Sequence, residues 1–463
     1  MPRSTHEPVI AGLLADWAGM LSAEDVPETV RKTRGRVVLD AGGLMVAARH
    51  AGYVRACVES SEAAGGTQTA TAIGHAGRFT AGDAALISGT AAHGEDFDDT
   101  FEGTPVHVGA VLVPALLAIG ETEKLSGSDI LRGFAVGGEI ACRMAVVAPT
   151  AIHRAAFHPT AVIGAMSAAA GVASAMRLSS KDFQSTLGIV GSMASGIIEY
   201  LAEGTSTKRL HPGWAAQSGI RAARLARAGF DGPRTVFEGE HGFFRAFADP
   251  SIPRDFDRMT TGLGTDWLVE GLAFKPYACG TMVQPFIDCA IELRRSGRVP
   301  DDIAAITARV GEGTVHRLWE PLAEKRRPTT PYSAKFSGPF GIAIGLVEEA
   351  GGLDQFTERC IRDPDVLALT SKIDFEIDPN PPYPANYTGE LVITLIDGTT
   401  RHVLQPHLRG GRREPLGLEE LVAKYRANTT FGGWSNDRAE AFRQFAQGLF
   451  EADDLSGLAA FAG

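Results

Sequence analysis

Cysteine is scarce in this chain of 463 residues, and the five present (Cys57, Cys142, Cys279, Cys289 and Cys360) are scattered with no CxxC spacing. An odd count without a secretory leader reads as reduced thiols in a cytoplasm. No leader is expected because the chain opens Met1-Pro2-Arg3-Ser4 and its first apolar stretch is interrupted at Asp16. Long apolar runs are missing too. The longest, Val108 to Gly120, contains Pro114 and is too short to cross a bilayer. Positive charge is in deficit: a formal net charge of -11 argues against nucleic acid as a partner. It also means that any anion site must gather its basic groups locally. There is no GxGxxG after a strand, no Walker loop, no HExxH and no GxSxG, so nucleotide use, zinc hydrolysis and serine acyl transfer lack support. Short-period repeats and low-complexity tracts are absent as well.

What is present is an ordinary globular composition, 44% hydrophobic and 21% charged, with mean hydropathy near zero. The length suffices for a large core and two domains. Helix-period apolar residues recur from Val9 to Leu21 and from Val30 to Ala48. Nearly every side chain between Ala161 and Met176 is small, as again around Gly188 to Gly196, which predicts central helices of a closely packed bundle. Ser179-Ser180-Lys181-Asp182 supplies a cap and a first-turn acid for the next helix.

The pattern changes after Trp267. Strands are expected at Ala305 to Val310 and Ile373 to Ile377, and a hairpin at Leu391 to Leu404 turning on Asp397-Gly398. Helical patterns intervene at Pro285 to Arg295 and Phe340 to Glu349, and return from Leu416. The fold class expected is mainly α with an α+β second domain. A discontinuous helical bundle (residues 1–265 and 411–463) would carry a smaller α+β lid domain (266–410).

The richest stretch for chemistry is Asp96-Phe97-Asp98-Asp99-Thr100 with His107 beyond it. Three carboxylates beside an apolar segment are costly to fold unless something uses them. As metal ligands they would be hard oxygen donors. DFDDT also weakly resembles the Asp-rich helix of terpenoid synthases, but that reading wants a second metal motif and an aromatic cavity, and aromatics are only 8%. As a structural cluster the aspartates would cap the next helix. The reading preferred is an acid–base site of Asp96 with His107, leaving Asp98 or Asp99 in structural roles. His158 precedes Pro159, a favoured first helical residue, so its ring would stand at a helix N-terminus where carboxylates bind well. The plain alternative is a capping or core histidine. His211-Pro212-Gly213 repeats that arrangement behind Lys208 and Arg209, with Gly204, Thr205 and Thr207 forming a tight, donor-rich loop. Lys275-Pro276-Tyr277 lies just past the expected domain junction, either a site lysine or part of a plain linker.

The stretches HGEDFDDTFEGTPVHVGAVLVPALLAIGE, FHPTAVIGA, GTSTKRLHPGWAAQSG, GPRTVFEGEHGFFRAF and AKFSGPF resemble the MmgE/PrpD family, and the likeness runs from near the N-terminus to about residue 445. The resemblance implies a helical domain with an α+β lid, a homodimer, no metal or organic cofactor, and a small polycarboxylate as substrate. It places the family's active-site aspartate and threonine on Asp96 and Thr100, and its first catalytic histidine on His107. Carboxylate binding falls to His158, Lys208 and Lys275, with Arg209 or His211 assisting. Two positions depart from the family's decarboxylase: a histidine expected about five residues after Lys275 is Gly280, and the tyrosine of the AKFSxPY segment is Phe340. The function so implied is a cofactor-independent lyase, 2-methylcitrate dehydratase-like. The alternatives are an epimerase or isomerase, a cis-aconitate-type decarboxylase, or an inactive metabolite-binding paralogue.

Overall fold

The computed structural model describes residues 9–64, 69–102, 104–383 and 386–463, with the side chains of 62–64 left aside. Met1 to Ser4, on which the reading of the N-terminus rested in part, lie outside the described residues. The chain is mainly helical, with one four-stranded mixed sheet, and divides into two compact units. The first comprises residues 1–94, 98–272 and 432–463; the second comprises 95–97 and 273–431.

In the first unit, helix Pro159–Ala175 runs through the middle and is buried over its whole length of 17 residues. Its Gly and Ala content makes this possible, because small side chains let neighbouring main chains come close. Helix Gly127–Val147 crosses it at Gly133 and Gly171, where a Cβ on either residue would lie under 3 Å from the other's carbonyl oxygen. Helices Ala81–Gly94 and Thr207–Arg227 meet in the same manner: a Cβ on Gly89 would sit 2.6 Å from Gly213 Cα. Helix Ser180–Gly191 starts as expected, with Ser179 Oγ accepting from the Asp182 amide at 3.2 Å. Ile10–Met20 and Glu28–Ala47 complete the apolar-periodic helices read from the sequence.

In the second unit the sheet order is Ile373–Ile377, Ile303–Val310, Gly389–Leu395, Thr400–Gln405. The hairpin forms on the expected turn, with Gly398 at φ 82°, which glycine adopts without a Cβ penalty. The Ile303–Val310 and Ile373–Ile377 strands pair in parallel, a relation that strand patterns alone do not encode. Helix Gln284–Arg295 packs on the Gly389–Leu395 and Thr400–Gln405 strands and against helix Gly338–Glu348. Leu391, Ile393 and Leu395 alternate inward, and each is buried.

The chain re-enters the first unit at Gly432 rather than at 411. Helix Leu418–Phe431 stays with the second unit because its buried Lys424 and its contacts with Leu353–Gln355 are made there. All five cysteines are buried and free. Among the described residues no helix is long and apolar enough to cross a membrane.

Candidate active site

Four histidines converge in the first unit. His93 is the penultimate residue of helix Ala81–Gly94, and His107 stands two residues before helix Gly109–Glu123. His158 is the N-cap residue of Pro159–Ala175, with Pro159 at its first position as the sequence implied. His211 lies inside helix Thr207–Arg227. All four are buried. Ring centroids are 4.7 Å apart for His93 and His107, 5.7 Å for His93 and His158, and 5.2 Å for His158 and His211.

The 207–213 segment is not a loop. The helix begins at Thr207 and runs through Pro212, whose missing amide forgoes only the bond to the Lys208 carbonyl four residues back. The helical path sets Gly213 against helix Ala81–Gly94 and turns His211 to the other side, against His158 and Tyr200.

Asp98 links two of the imidazoles. Its Oδ2 accepts from His93 Nδ1 at 2.7 Å and lies 3.2 Å from His107 Nδ1. His107 Nδ1 is also 2.8 Å from the main-chain oxygen of Asp99. Both of those neighbours are acceptors, so Nδ1 of His107 is assigned a proton. The His107 amide donates to Thr160 Oγ1 at 3.2 Å. Asp99 takes the capping role foreseen for the cluster, its carboxylate accepting from the Gly109 amide at 3.0 and 3.1 Å. Gly109 is needed there, since a Cβ would fall 2.1 Å from Asp99 Oδ1.

The electrostatics separate one anion from three neutral rings. Burial alone would raise the Asp98 carboxyl, but His107 and His93 outweigh it and hold Asp98 well below the ordinary range, hence ionised. Burial pushes His93 down to about 4 against the pull of Asp98. Burial, with the Lys208 charge and neighbouring imidazoles, lowers His211 to about 4 and His158 well below its ordinary value. His158 and His211 face each other through Nδ1 atoms 3.1 Å apart, one donating and one accepting, which two neutral rings can do. His93 Nε2 and Asp98 Oδ1 are buried with no hydrogen-bond partner.

Unfolded histidines bind protons that the folded cluster refuses between its lowered values and about 6.5. The stabilisation is therefore complete above pH 6.5 and is lost as pH falls from 6.5 towards 4. Urea midpoints measured across that window should drop on acidification. A flat or rising profile would contradict neutral buried imidazoles.

Ligand atoms of His93, Asp98 and His107 lie within 4.8 Å of one another, close enough to be weighed as a metal site. A metal would need the Nδ1 lone pair of His107, where the Asp99 carbonyl calls for a proton instead. The trio therefore fits an acid–base chain better than a ligand set.

Several sequence expectations are displaced. The carboxylate beside His107 is that of Asp98, whereas Asp96 pairs with Lys275 at 2.7 Å within the second unit. Two of the three N–H donors of Lys275 go to Asp96, one to its carboxylate and one to its main-chain oxygen. Thr100 is buried in the short strand Thr100–Phe101, and the hydroxyl touching the His107 main chain belongs to Thr160. Arg209 is committed to structure: its Nε donates to the Gly94 carbonyl at 2.9 Å, and its guanidinium lies over the Tyr53 ring. Lys208 remains with the cluster, its charge acting on His93, His158 and His211. His93 was not singled out in the sequence. The signal available was a lone imidazole closing an otherwise small and apolar helix five residues before Asp98.

A two-domain, mainly helical protein with a buried cluster of neutral imidazoles around one carboxylate is thus the class that the fold and geometry define. The chain belongs to the MmgE/PrpD family: the family's N-terminal domain matches residues 12–254 and its C-terminal domain residues 277–449. Among curated proteins it is 31% identical to cis-aconitate decarboxylase of Homo sapiens, over 81% of this chain and 78% of that protein. It is 30% identical to the Mus musculus cis-aconitate decarboxylase over 81% and 77%, and 24% identical to that of Aspergillus terreus over 96% and 94%.

Proposed function

We propose that the chain is a cofactor-independent lyase that decarboxylates a small tricarboxylate of the cis-aconitate type, with proton transfer at His107. The observation that carries this reading is the pairing of an ionised Asp98 with the Nδ1 side of His107, which leaves Nε2 directed to chemistry. Its support from relatives is that the similar proteins of Homo sapiens, Mus musculus and Aspergillus terreus are named cis-aconitate decarboxylases.

The division of labour follows from charge. Lys208 would attract a substrate carboxylate, and His158 and His211 would complete the anion site. Burial is the larger cause of their lowered values and remains on binding, but a bound polyanion offsets the Lys208 charge and so favours protonation of those imidazoles. Heterolysis of the carbon–carboxylate bond releases carbon dioxide and leaves its electron pair in the remaining conjugated acid. A proton taken up by His158 or His211 on binding would pass to His107 Nε2 and from there to the carbanion, returning His107 to its Nδ1–H form. Fixed cations and donors around the developing charge lower the barrier without reorganisation.

A dehydratase reading has one observation in its favour. Positions 280 and 340, where the resemblance calls for a histidine and a tyrosine, carry no proton donor, and Phe340 is sealed against Phe356 in the core of the second unit. A base that removes a proton beside a carboxylate, followed by loss of a β-hydroxyl, needs fewer donors; reprotonation instead would give epimerisation.

Proton NMR of EDTA-treated protein in deuterated water separates these outcomes. The panel is cis-aconitate, citrate, 2-methylcitrate, iminodisuccinate, malate and tartrate. Loss of carbon dioxide from cis-aconitate, with one deuteron incorporated, supports the proposal. Alkene formation from a hydroxy acid would transfer the reading to dehydration. Silence across the panel, with no ligand line broadening, would sink the polycarboxylate assignment altogether.

A further inference from the structure

Of the four converging imidazoles, His93 is the one to which the chemistry above gives no task. It is 1% exposed. The ring is neutral, so donation from Nδ1 to Asp98 Oδ2 at 2.7 Å leaves its lone pair on Nε2. That Nε2 is buried with no hydrogen-bond partner. A stranded acceptor costs free energy, and a side chain present only to hold Asp98 would not need one.

The ring contacts run in series. His107 lies 4.7 Å from His93, His93 lies 5.7 Å from His158, and His158 lies 5.2 Å from His211. His93 therefore stands between the pair assigned to anion binding and the group assigned to proton transfer. All of these residues, with Asp98, belong to the first unit. Two features favour a brief positive charge on His93. The ionised Asp98 carboxylate is in hydrogen-bond contact with it, and the ring is carried in the last turn of helix Ala81–Gly94, whose negative end attracts a cation.

We propose that His93 is a proton relay: the ring through which a proton taken up by the His158–His211 pair reaches His107. The proton leaves the pair for the lone pair of His93 Nε2, giving an imidazolium that keeps its Nδ1–H on Asp98. Nε2 then yields that proton to the Nε2 lone pair that His107 regains after each protonation of substrate. His93 returns to its neutral form, and only these N–H bonds are broken and made. The relay rests on the reading of His107 as the proton-transfer group and of the pair as the anion site.

His93→Asn is the test, because its side-chain amide can donate to Asp98 from the place of Nδ1 but has nothing at Nε2. Steady-state kinetics on the polycarboxylate that turns over should show kcat reduced about 100-fold or more. KM should stay within about threefold, as expected when binding is untouched. A ring that only holds Asp98 would be replaced by the retained donor, and kcat within about threefold of the parent would overturn the relay.

A second readout needs neither a variant nor turnover. In 15N-histidine-labelled parent protein at neutral pH, His93 Nε2 should give the signal of a bare ring nitrogen. Saturating tricarballylate, a tricarboxylate without a double bond, should move that signal towards the protonated position together with those of His158 and His211. Movement of the pair with His93 unmoved would overturn the relay and leave the anion site standing. Stillness of every imidazole signal would remove the polycarboxylate reading, and the relay with it. Should His93→Asn not fold, these signals decide alone.

Discussion

His107→Ala lowers kcat by about 10²–10⁴-fold, the range that a positioned general acid–base group contributes. The reasoning lies in the Nδ1 side of the ring, which is held between Asp98 Oδ2 and the Asp99 carbonyl, so that Nε2 alone is left to exchange a proton with substrate. KM should move far less, because the proposed mechanism leaves anion binding to Lys208, His158 and His211. Asp98→Asn should fall between the variant and the parent. An amide can hydrogen-bond to His107 but cannot stabilise an imidazolium as a carboxylate does. Deuterium incorporation by His107→Ala at a rate close to that of the unaltered chain would remove His107 from the mechanism.

Arg143→Met destabilises the first unit by about 3–5 kcal/mol, the usual result of leaving one member of a buried ion pair alone. Arg143 Nε donates to Glu139 Oε1 at 2.7 Å, and both side chains are almost wholly inaccessible. The rest of the guanidinium is spent on the carbonyls of Arg258, Thr261 and Asp266, at distances from 2.7 to 3.1 Å. Glu139 in turn accepts from the Val269 amide at 3.1 Å. Removing the arginine therefore strands a carboxylate that burial already pushes up, and takes the donor away from three main-chain carbonyls. Chemical denaturation of Arg143→Met and of Arg143→Met with Glu139→Gln gives the check. The double variant should recover part of the loss. If Arg143→Met alone costs under about 1 kcal/mol, the pair contributes no more than a surface bridge would.

Much of the fold was legible because its signals are local. The small-residue run at Ala161 to Met176 marked a helix with no solvent face, and Asp397-Gly398 marked a hairpin. The parallel pairing of Ile303–Val310 with Ile373–Ile377 was not legible, since it depends on contacts across some 60 residues of intervening chain. Lys424 illustrates the same limit. Its helix reads like the helices of the first unit, and contacts distant in sequence, at Phe97 and at Leu353–Gln355, assign it elsewhere. For the candidate site, residue types were readable and pairings were not. Asp96, Asp98 and Asp99 are interchangeable as letters, yet the left-handed turn at Asp96 sends the first to Lys275 and leaves the second for His107. His93 escaped notice because burial, not spacing, makes it unusual.

His93 and His211 ride on helices whose main chains touch at Gly89 and Gly213. The spacing of those two helices is consequently a property of the backbone, beyond the reach of ordinary side-chain replacement. Drift in the sequence can redecorate the periphery but cannot spread the imidazoles without parting two helices. A larger side chain at Gly89 or Gly213 would have to push the two helices apart, and the imidazoles they carry would move with them.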